Sequence, residues 1–528
     1  MYTESRFTPI VLIALCLAIA GCAGLPNPTP EVIKHAVEVT RVVEAEVAIT
    51  SEPLADAGPG PSTGGSTEPN DQAYGDMFFE GYGVNPFIDT EDDHLSAVDV
   101  DTGSYTVMRR YVNDGHLPPD ESVRVEEYVN YFEQAYAPPE EGDGAFAIHL
   151  EGAPSLYGGE RYYLARVGLK GYEMPEKERP DAVLTFVIDV SGSMARENRL
   201  GLVKRTLRLL IEQLRPTDQI GLVVYGSRGR SIMEPTPIAE GNAILDGIDR
   251  LQPGGSTNAE EGLVIAYRMA SRAFDPEAIN RVILCSDGVA NVGRTGPDSI
   301  TEQIKQHAKE GIYLTTVGFG MGNYNDVLME QLADSGDGFY AYVDTMAEAE
   351  RVFVHDLPSS LQVIARDAKI QVDFNPDVVS RYRLLGYENR DVADEDFRND
   401  EVDAGEIGPG HSVTALYELK FHREIDEAEP AMTVHARYED PETEEVTEVM
   451  RAIAKGDFAP SFEETSARFQ LTAIVAEYAE ILRDSYWAQD SSLGGVAMEA
   501  QRIAEYLPHD AEVAEFAELA QRAASLSE

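Results

Sequence analysis

The sequence predicts an α/β protein: a doubly wound sheet at its centre, a β-sandwich unit flanking it and a helical segment at the C-terminus. Three observations carry this. Ala182 to Ile188 is an unbroken apolar run rich in Val, Ile and Phe, as a strand buried on both faces of a parallel sheet requires. A helical stripe of Leu202, Leu207, Leu210, Ile211 and Leu214 follows it, and strand and helix patterns then alternate as far as residue 356. After Leu357 the helices give way to strand patterns separated by turn clusters such as Gly408-Pro409-Gly410, the pattern of a sandwich.

The N-terminus is a processing segment. Arg6 supplies a positive start and Pro9 to Ala20 an apolar stretch too short to span a bilayer as a stable helix. Ile19-Ala20-Gly21-Cys22 resembles the bacterial lipobox. That resemblance implies cleavage before Cys22 and a diacylglyceryl group on its thiol. Residues 1–22 are therefore expected to be a lipoprotein signal peptide, and the protein to be extracytoplasmic, lipid-anchored to a bacterial membrane. A plain secretory signal is the alternative. Residues 23–72 read as a disordered linker, opened by Pro26, Pro28 and Pro30 and closed by the Gly, Pro, Ser and Thr of 58–69. Within it, Val37 to Val47 fits a short helix or a strand.

Residues 73–175 read as an α+β unit. Leu95 onward is a strand into a turn, Tyr105 to Asn113 a helix, Val123 to Phe132 a second helix, and Phe146 to Leu150 and Tyr162 to Leu169 strands. The turn Asp99-Val-Asp101-Thr-Gly-Ser104 invites sharper readings. An aspartic protease loop contains Asp-Thr-Gly but needs a second carboxylate to share its proton. The only other Asp-Ser-Gly, at Asp334, sits at a helix end. A calcium loop lacks the acid at its twelfth position. The simplest reading is that these acids and Ser104 cap the helix that follows.

The central α/β domain spans 181–356. After its first strand and the helix from Arg199 to Leu214 come a strand at Asp218 to Tyr225 and an antiparallel edge strand at Gly229 to Met233. Helices at Gly241 to Leu251 and Ala259 to Arg272 follow, then the buried strand beginning at Arg281. A helix at Glu302 to Lys309, a strand at Tyr313 to Phe319, a helix at Asn325 to Ala333, a strand at Phe339 to Val343 and a closing helix at Met346 to His355 complete it. The sandwich, 360–456, takes strands at Ala365 to Phe374, Val379 to Tyr387, Ser412 to Phe421, Met432 to Tyr438 and Val446 to Ile453; the strands at 146–169 are able to join it, which would make the α/β domain an insertion. Residues 460–528 form the helical segment. It opens with a capping box at Ser461-Phe-Glu-Glu464 and a helix to about Trp487, with two more at Val496 to Leu507 and Ala511 to Ala524, packing on the sandwich.

Chemistry concentrates where central strands end. The first strand stops at Asp189, with Ser191 and Ser193 in the turn and Gly192 between them. Ligands of open α/β sheets bind beyond the carboxyl ends of strands. A carboxylate with two hydroxyls is a hard oxygen set suited to Mg²⁺ or Mn²⁺ rather than zinc. A capping Asp-Ser turn is the blander account of these three residues alone. Two further loops join them: Gly254-Gly255-Ser256-Thr257-Asn258, opening a helix, and the buried strand from Arg281, ending in Asp287. Asp189, Thr257 and Asp287 would share one sheet edge.

D-x-S-x-S followed by Thr and Asp resembles the metal-ion-dependent adhesion site of the von Willebrand factor type A domain. The resemblance implies a divalent ion, Mg²⁺ or Mn²⁺, on Asp189, Ser191, Ser193, Thr257 and Asp287. The hydroxyls would ligate directly and the aspartates largely through water, with one position open for an acidic protein ligand. The segment S-A-V-D-V-D-T-G-S-Y, with G-H-L-P-P-D-E-S-V-R-V-E-E-Y-V-N-Y-F after it, is similar to the leader of bacterial YfbK-like von Willebrand factor A proteins. That likeness extends from Asn85 to the C-terminus. This family usually has Ala where Gly103 stands, which weakens the protease reading further.

Composition sets outer limits. Against 42 Lys and Arg stand 93 Asp and Glu, a formal net charge of −51, so nucleic-acid phosphate is excluded as a partner. Of three cysteines, Cys16 leaves with the signal, Cys22 is the lipidation site, and Cys285 sits inside an apolar strand, so the mature monomer has no disulfide. No G-x-S-x-G, no H-E-x-x-H and no Cys/His cluster occurs, and none of the ten histidines stands beside a plausible nucleophile. The expectation is a membrane-anchored binding, adhesion or scaffolding protein and not an enzyme. The competing reading is a subunit of an envelope remodelling complex; a hydrolase is the weakest.

Overall fold

The computed structural model describes residues 84–527, apart from 91–93, 98–100, 141, 143, 157, 175–176, 197–198, 288–296, 321–325, 357–362, 389–390, 393–396, 399–404 and 442. The signal and linker expected at 1–72, Cys22 and Asp99 lie outside the described residues. Among the described residues no helix is long and apolar enough to cross a membrane.

The chain opens with β1 (Ile88–Asp89), β2 (His94–Ala97), α1 (Gly103–Asn113) and α2 (Val125–Asn130), followed by β3 (Phe146–Pro154) and β4 (Tyr162–Gly171). The central domain then runs β5 (Ala182–Asp189), α3 (Leu200–Gln213), β6 (Gln219–Tyr225), β7 (Arg230–Pro237), α4 (Gly241–Asp249), α5 (Ala259–Ala273) and β8 (Ile279–Ser286). It finishes with α6 (Pro297–Lys309), β9 (Ile312–Phe319), α7 (Asp326–Asp334), β10 (Tyr340–Val343) and α8 (Met346–Glu350). After it come β11 (Ala365–Phe374), β12 (Val379–Leu385), β13 (Asp391–Val392), β14 (Gly405–Ile407), β15 (Ser412–Phe421), β16 (Pro430–Glu439) and β17 (Val446–Ala454). Three helices end the chain: α9 (Ala467–Leu482), α10 (Leu493–Tyr506) and α11 (Ala511–Ser527).

The central sheet has the order β10-β9-β8-β5-β6-β7, all parallel except β7. Every residue of β5 and β8 is buried, which is why each shows a continuous apolar stretch with no alternation. One face packs Phe186, Ile188 and Val224 against Val203 and Leu207 of α3; the other packs Val187, Val223 and Leu284 against Leu263 and Ala266 of α5. Val107 and Tyr111 of α1 join that second core, so a helix from ahead of the domain completes it.

The remaining strands form the sandwich. One sheet has the order β1-β12-β15-β4-β3 and the other β13-β2-β11-β16-β17, with β14 beside β11. Because β4 pairs with β15 from Lys170↔Ser412 to Tyr162↔Lys420, the central domain is inserted between β4 and β11. The described part of 73–175, expected as a unit of its own whose strands are able to join the sandwich, is thus shared out. Its strands complete the two sheets, and Tyr105, Met108, Tyr128 and Phe132 of its helical part pack with Phe469, Tyr478 and Phe516 of the C-terminal helices. Long-range pairing decides this, and local pattern does not carry it.

Two local expectations are corrected. Ser461 makes no side-chain cap; it precedes a short 3₁₀ turn, and α9 begins later, capped by Ser466, whose Oγ accepts from Phe469 N at 3.1 Å. Ser466 is held there by Glu151 of β3, which accepts both its N–H and its hydroxyl at 2.7 Å. The closing helix of the central domain is also not uniform: after Glu350 it passes into a π-helical turn over Arg351–Asp356.

Candidate metal centre at the sheet edge

Asp189 is the last residue of β5, which lies between β6 and β8. Ile188 registers with Cys285, so Asp189 and the end of β8 emerge side by side, and Asp287 follows directly. The chain turns tightly after Asp189, whose Oδ1 accepts the N–H of Ser191 at 2.6 Å. This turn brings the hydroxyl oxygens of Ser191 and Ser193 to 2.8 Å from one another.

The third loop is tied to the first by its backbone. Gly192 N donates to Gly255 O at 3.0 Å, and Gly254 N to Val190 O at 2.7 Å. Gly255 has φ of 96°, and a Cβ there would meet Ser227 Oγ at 2.5 Å, so the loop needs glycine at this point. Two residues on stands Thr257, half-buried, followed by Asn258, whose side chain caps α5 by accepting from Glu261 N at 3.3 Å. The three loops named from the sequence therefore meet at one rim of the sheet.

Asp189 and Asp287 are both buried. Burial pushes the Asp189 carboxyl up to about 7; the hydrogen bond from Ser191 N–H works against this, and the nearby Asp287 adds to it. Two buried carboxylates beside converging hydroxyls are an oxygen set short of positive charge. That fits a hard divalent cation. Among the described residues no three His, Cys, Asp or Glu side chains gather into a group able to hold a metal ion, so any ion at this rim would rest on the hydroxyls as well as the carboxylates.

Three neighbours of this rim are not evident in the sequence. Ser286 Oγ lies 3.5 Å from Asp189 Oδ2. Tyr225, at the end of β6, is fully buried beside Asp189, and burial holds its phenol well above the usual tyrosine range. Arg199, just ahead of α3, reaches back so that Nη1 lies 2.5 Å from Asp287 Oδ2 and 3.1 Å from Ser193 O. The only available signal for Arg199 was a basic residue at the start of a helix, which is commonplace.

The Asp-Thr-Gly turn does something else. Asp101 Oδ1 accepts the N–H of Tyr340, the first residue of edge strand β10. Thr102 precedes α1 without a side-chain cap, and Ser104 Oγ accepts from Arg124 N at 3.0 Å instead of capping. The capping expectation is corrected accordingly: these residues tie the leader to its neighbours. Gly103 packs so closely on Tyr340 that a Cβ would lie 2.5 Å from its ring.

The chain resembles known proteins over three segments. Residues 184–355 match the family described as von Willebrand factor type A domain, residues 73–164 one described as von Willebrand factor, and residues 359–526 one described as "Uncharacterized protein YfbK, C-terminal". The chain is 34% identical over 429 residues to "Uncharacterized protein YfbK" of Escherichia coli (strain K12), covering 77% of this chain and 74% of that protein. It is 28% identical over 182 residues to inter-alpha-trypsin inhibitor heavy chain H2 of Sus scrofa, covering 32% of this chain and only 19% of that protein. Among solved structures, a von Willebrand factor type A protein from Catenulispora acidiphila aligns with a TM-score of 0.42 at 16% identity, covering 71% of this chain and 89% of that one. With the α/β insertion, the sandwich and the C-terminal helices all accounted for, the chain belongs to the YfbK family of proteins built around a von Willebrand factor type A domain.

Proposed function

We propose that this protein is a lipid-anchored, extracytoplasmic binding or scaffolding protein that captures an acidic protein ligand at the rim formed by Asp189, Ser191, Ser193, Thr257 and Asp287. The observation that carries this is the joining of the three loops: Gly192 and Gly254 fasten the Thr257 loop onto the Asp189 turn, while Asp287 leaves the neighbouring strand. Kinship to the von Willebrand factor type A domain supports an interaction or adhesion role in the coarser sense. A bound Mg²⁺ or Mn²⁺ would supply an exchangeable coordination position for a partner's carboxylate. The protein's own residues supply the rest: hydroxyls that bind without adding charge, carboxylates that balance the ion, and a buried rim that holds them fixed. The anchor is assigned to Cys22, with the linker 23–72 giving reach. Binding and not turnover is the role proposed.

One experiment addresses both parts. The full chain is used to capture partners from the cell envelope, with and without EDTA, alongside its Asp189→Ala and Cys22→Ala variants. Capture should vanish with EDTA, return with Mg²⁺ and be absent in Asp189→Ala, while Cys22→Ala should leave the membrane fraction. Mg²⁺ should also raise the melting temperature of the parent chain and not of Asp189→Ala. Capture indifferent to EDTA and to Asp189→Ala would place the binding surface elsewhere.

A further inference from the structure

The rim carries a built-in cation. Arg199 is 2% exposed and stands among the largest fully buried side chains of the protein. Its guanidinium meets the buried Asp287 carboxylate at 2.5 Å and the Ser193 carbonyl at 3.1 Å. Its stem passes over Gly320, where φ is 104° and any Cβ would collide with the arginine. The Gly320 carbonyl is in turn held by the hydroxyl of Tyr342, which accepts from Arg110 Nη1 of α1 at 3.0 Å. Arg199 is therefore clamped where it lies.

Charge counting then distinguishes this rim from a plain oxygen site. Among the described residues there, Asp189 and Asp287 bring two negative charges when ionised and Arg199 one positive; Ser191, Ser193, Thr257 and Ser286 are neutral. The side chains by themselves sum to −1. A divalent ion takes the sum to +1, and one carboxylate from outside brings it to zero. In a buried setting such imbalances are costly, since the interaction between charges is several times stronger than in water.

Resting on the metal-binding reading above, we propose that Arg199 is the residue that makes the rim demand an anion: it weakens capture of the ion alone and couples ion and carboxylate, so that each tightens the other. The coupling must be reciprocal, because both ligands share one charge balance. Without Arg199 the sums run −2, 0 and −1, and the carboxylate would have no charge left to neutralise.

The test is titration of the full chain with MnCl₂, followed by electron paramagnetic resonance of free Mn²⁺ and by calorimetry, with and without acetate as the carboxylate probe. In the parent chain acetate should tighten Mn²⁺ at least about fivefold, the lower end of ordinary coupling between sites. Arg199→Met should bind Mn²⁺ alone about tenfold more tightly or better and lose the acetate effect, whereas Arg199→Lys, which keeps the charge, should retain part of it. Arg199→Met binding no tighter than the parent, with the acetate effect intact, would overturn the assignment. Should that variant fail to fold, the parent decides alone: Mn²⁺ binding indifferent to acetate refutes the coupling while leaving the metal site standing. A parent chain that binds no Mn²⁺ refutes the metal site and the coupling with it.

Discussion

The backbone N–H of Tyr340 donates to Asp101 Oδ1 at 3.0 Å, across a sequence separation of 239 residues. Tyr340 begins β10, the outermost strand of the central sheet on that side, and an edge strand presents unpaired N–H groups. Asp101 satisfies one of them from the leader and is itself buried. Asp101→Ala should leave that donor buried and unmet, at a cost of about 1–3 kcal/mol. Asp101→Asn keeps an acceptor oxygen and should recover much of it. Urea unfolding of both variants measures the difference; equal destabilisation by the two would show that charge and not acceptance is what matters.

Arg109 of α1 binds Asp344 at 2.5 Å and Glu348 at 2.8 Å, with Glu515 of α11 at 3.2 Å. The first two partners are almost wholly buried, whereas Glu515 is 41% exposed at its side chain. Removing the arginine strands the buried Asp344 carboxylate and leaves Glu348 to Arg351 and Tyr131 alone, so Arg109→Met should cost about 3–5 kcal/mol. Glu515→Gln, at the solvent edge, should cost less than about 1 kcal/mol. Thermal unfolding of the two variants separates them, and comparable losses would mean that the outer pair matters as much as the inner.

Glu477 of α9 has a buried Oε1 with no hydrogen-bond partner. Burial raises its carboxyl to about 7; Ser491 lowers it, and Glu480 and Glu418 raise it again. A carboxyl whose folded value exceeds the unfolded one, near about 4.3, binds its proton more tightly when folded. Stability from this group is therefore full below about pH 4 and is lost as pH rises through about 7. Glu477→Gln should be more stable than the parent at about pH 8 by about 2–3 kcal/mol and nearly equal to it at about pH 4.5. His411, held down to about 4 chiefly by burial, works in the opposite sense, destabilising the fold as pH falls from 6.5. Comparing variant with parent at each pH cancels that contribution. A difference that does not change between the two pH values would contradict the assignment.

How far the sequence carried depended on whether an interaction was local. The strands of the central domain were legible because β5 and β8 are buried on both faces and show no alternation with water-facing positions. Edge strand β7 was foreseen only to Met233 but runs to Pro237, since an edge tolerates Pro235 and Pro237 where an inner strand would not. The meeting of the Asp189, Thr257 and Asp287 loops was legible because two adjacent strands end there and α5 opens there, positions that chain order alone defines. Arg199 was not, because its partner Asp287 stands 88 residues away. The same distance effect hid Ser466, positioned by Glu151 from 315 residues upstream, whereas the joining of the 146–169 strands to the sandwich was raised from the sequence and is realised in the pairing of β4 with β15.

Insertion between β4 and β11 bears on how a captured ligand would pull. β4 lies inside one sheet, between β15 and β3, and β11 inside the other, between β2 and β16. Tension applied at the Asp189 rim leaves the central domain by both its ends at once and enters both sheets through interior strands. Neither strand can peel away as a free edge would. Each must break the ladders on both its sides together, and the load is divided between the two layers before it reaches any tether.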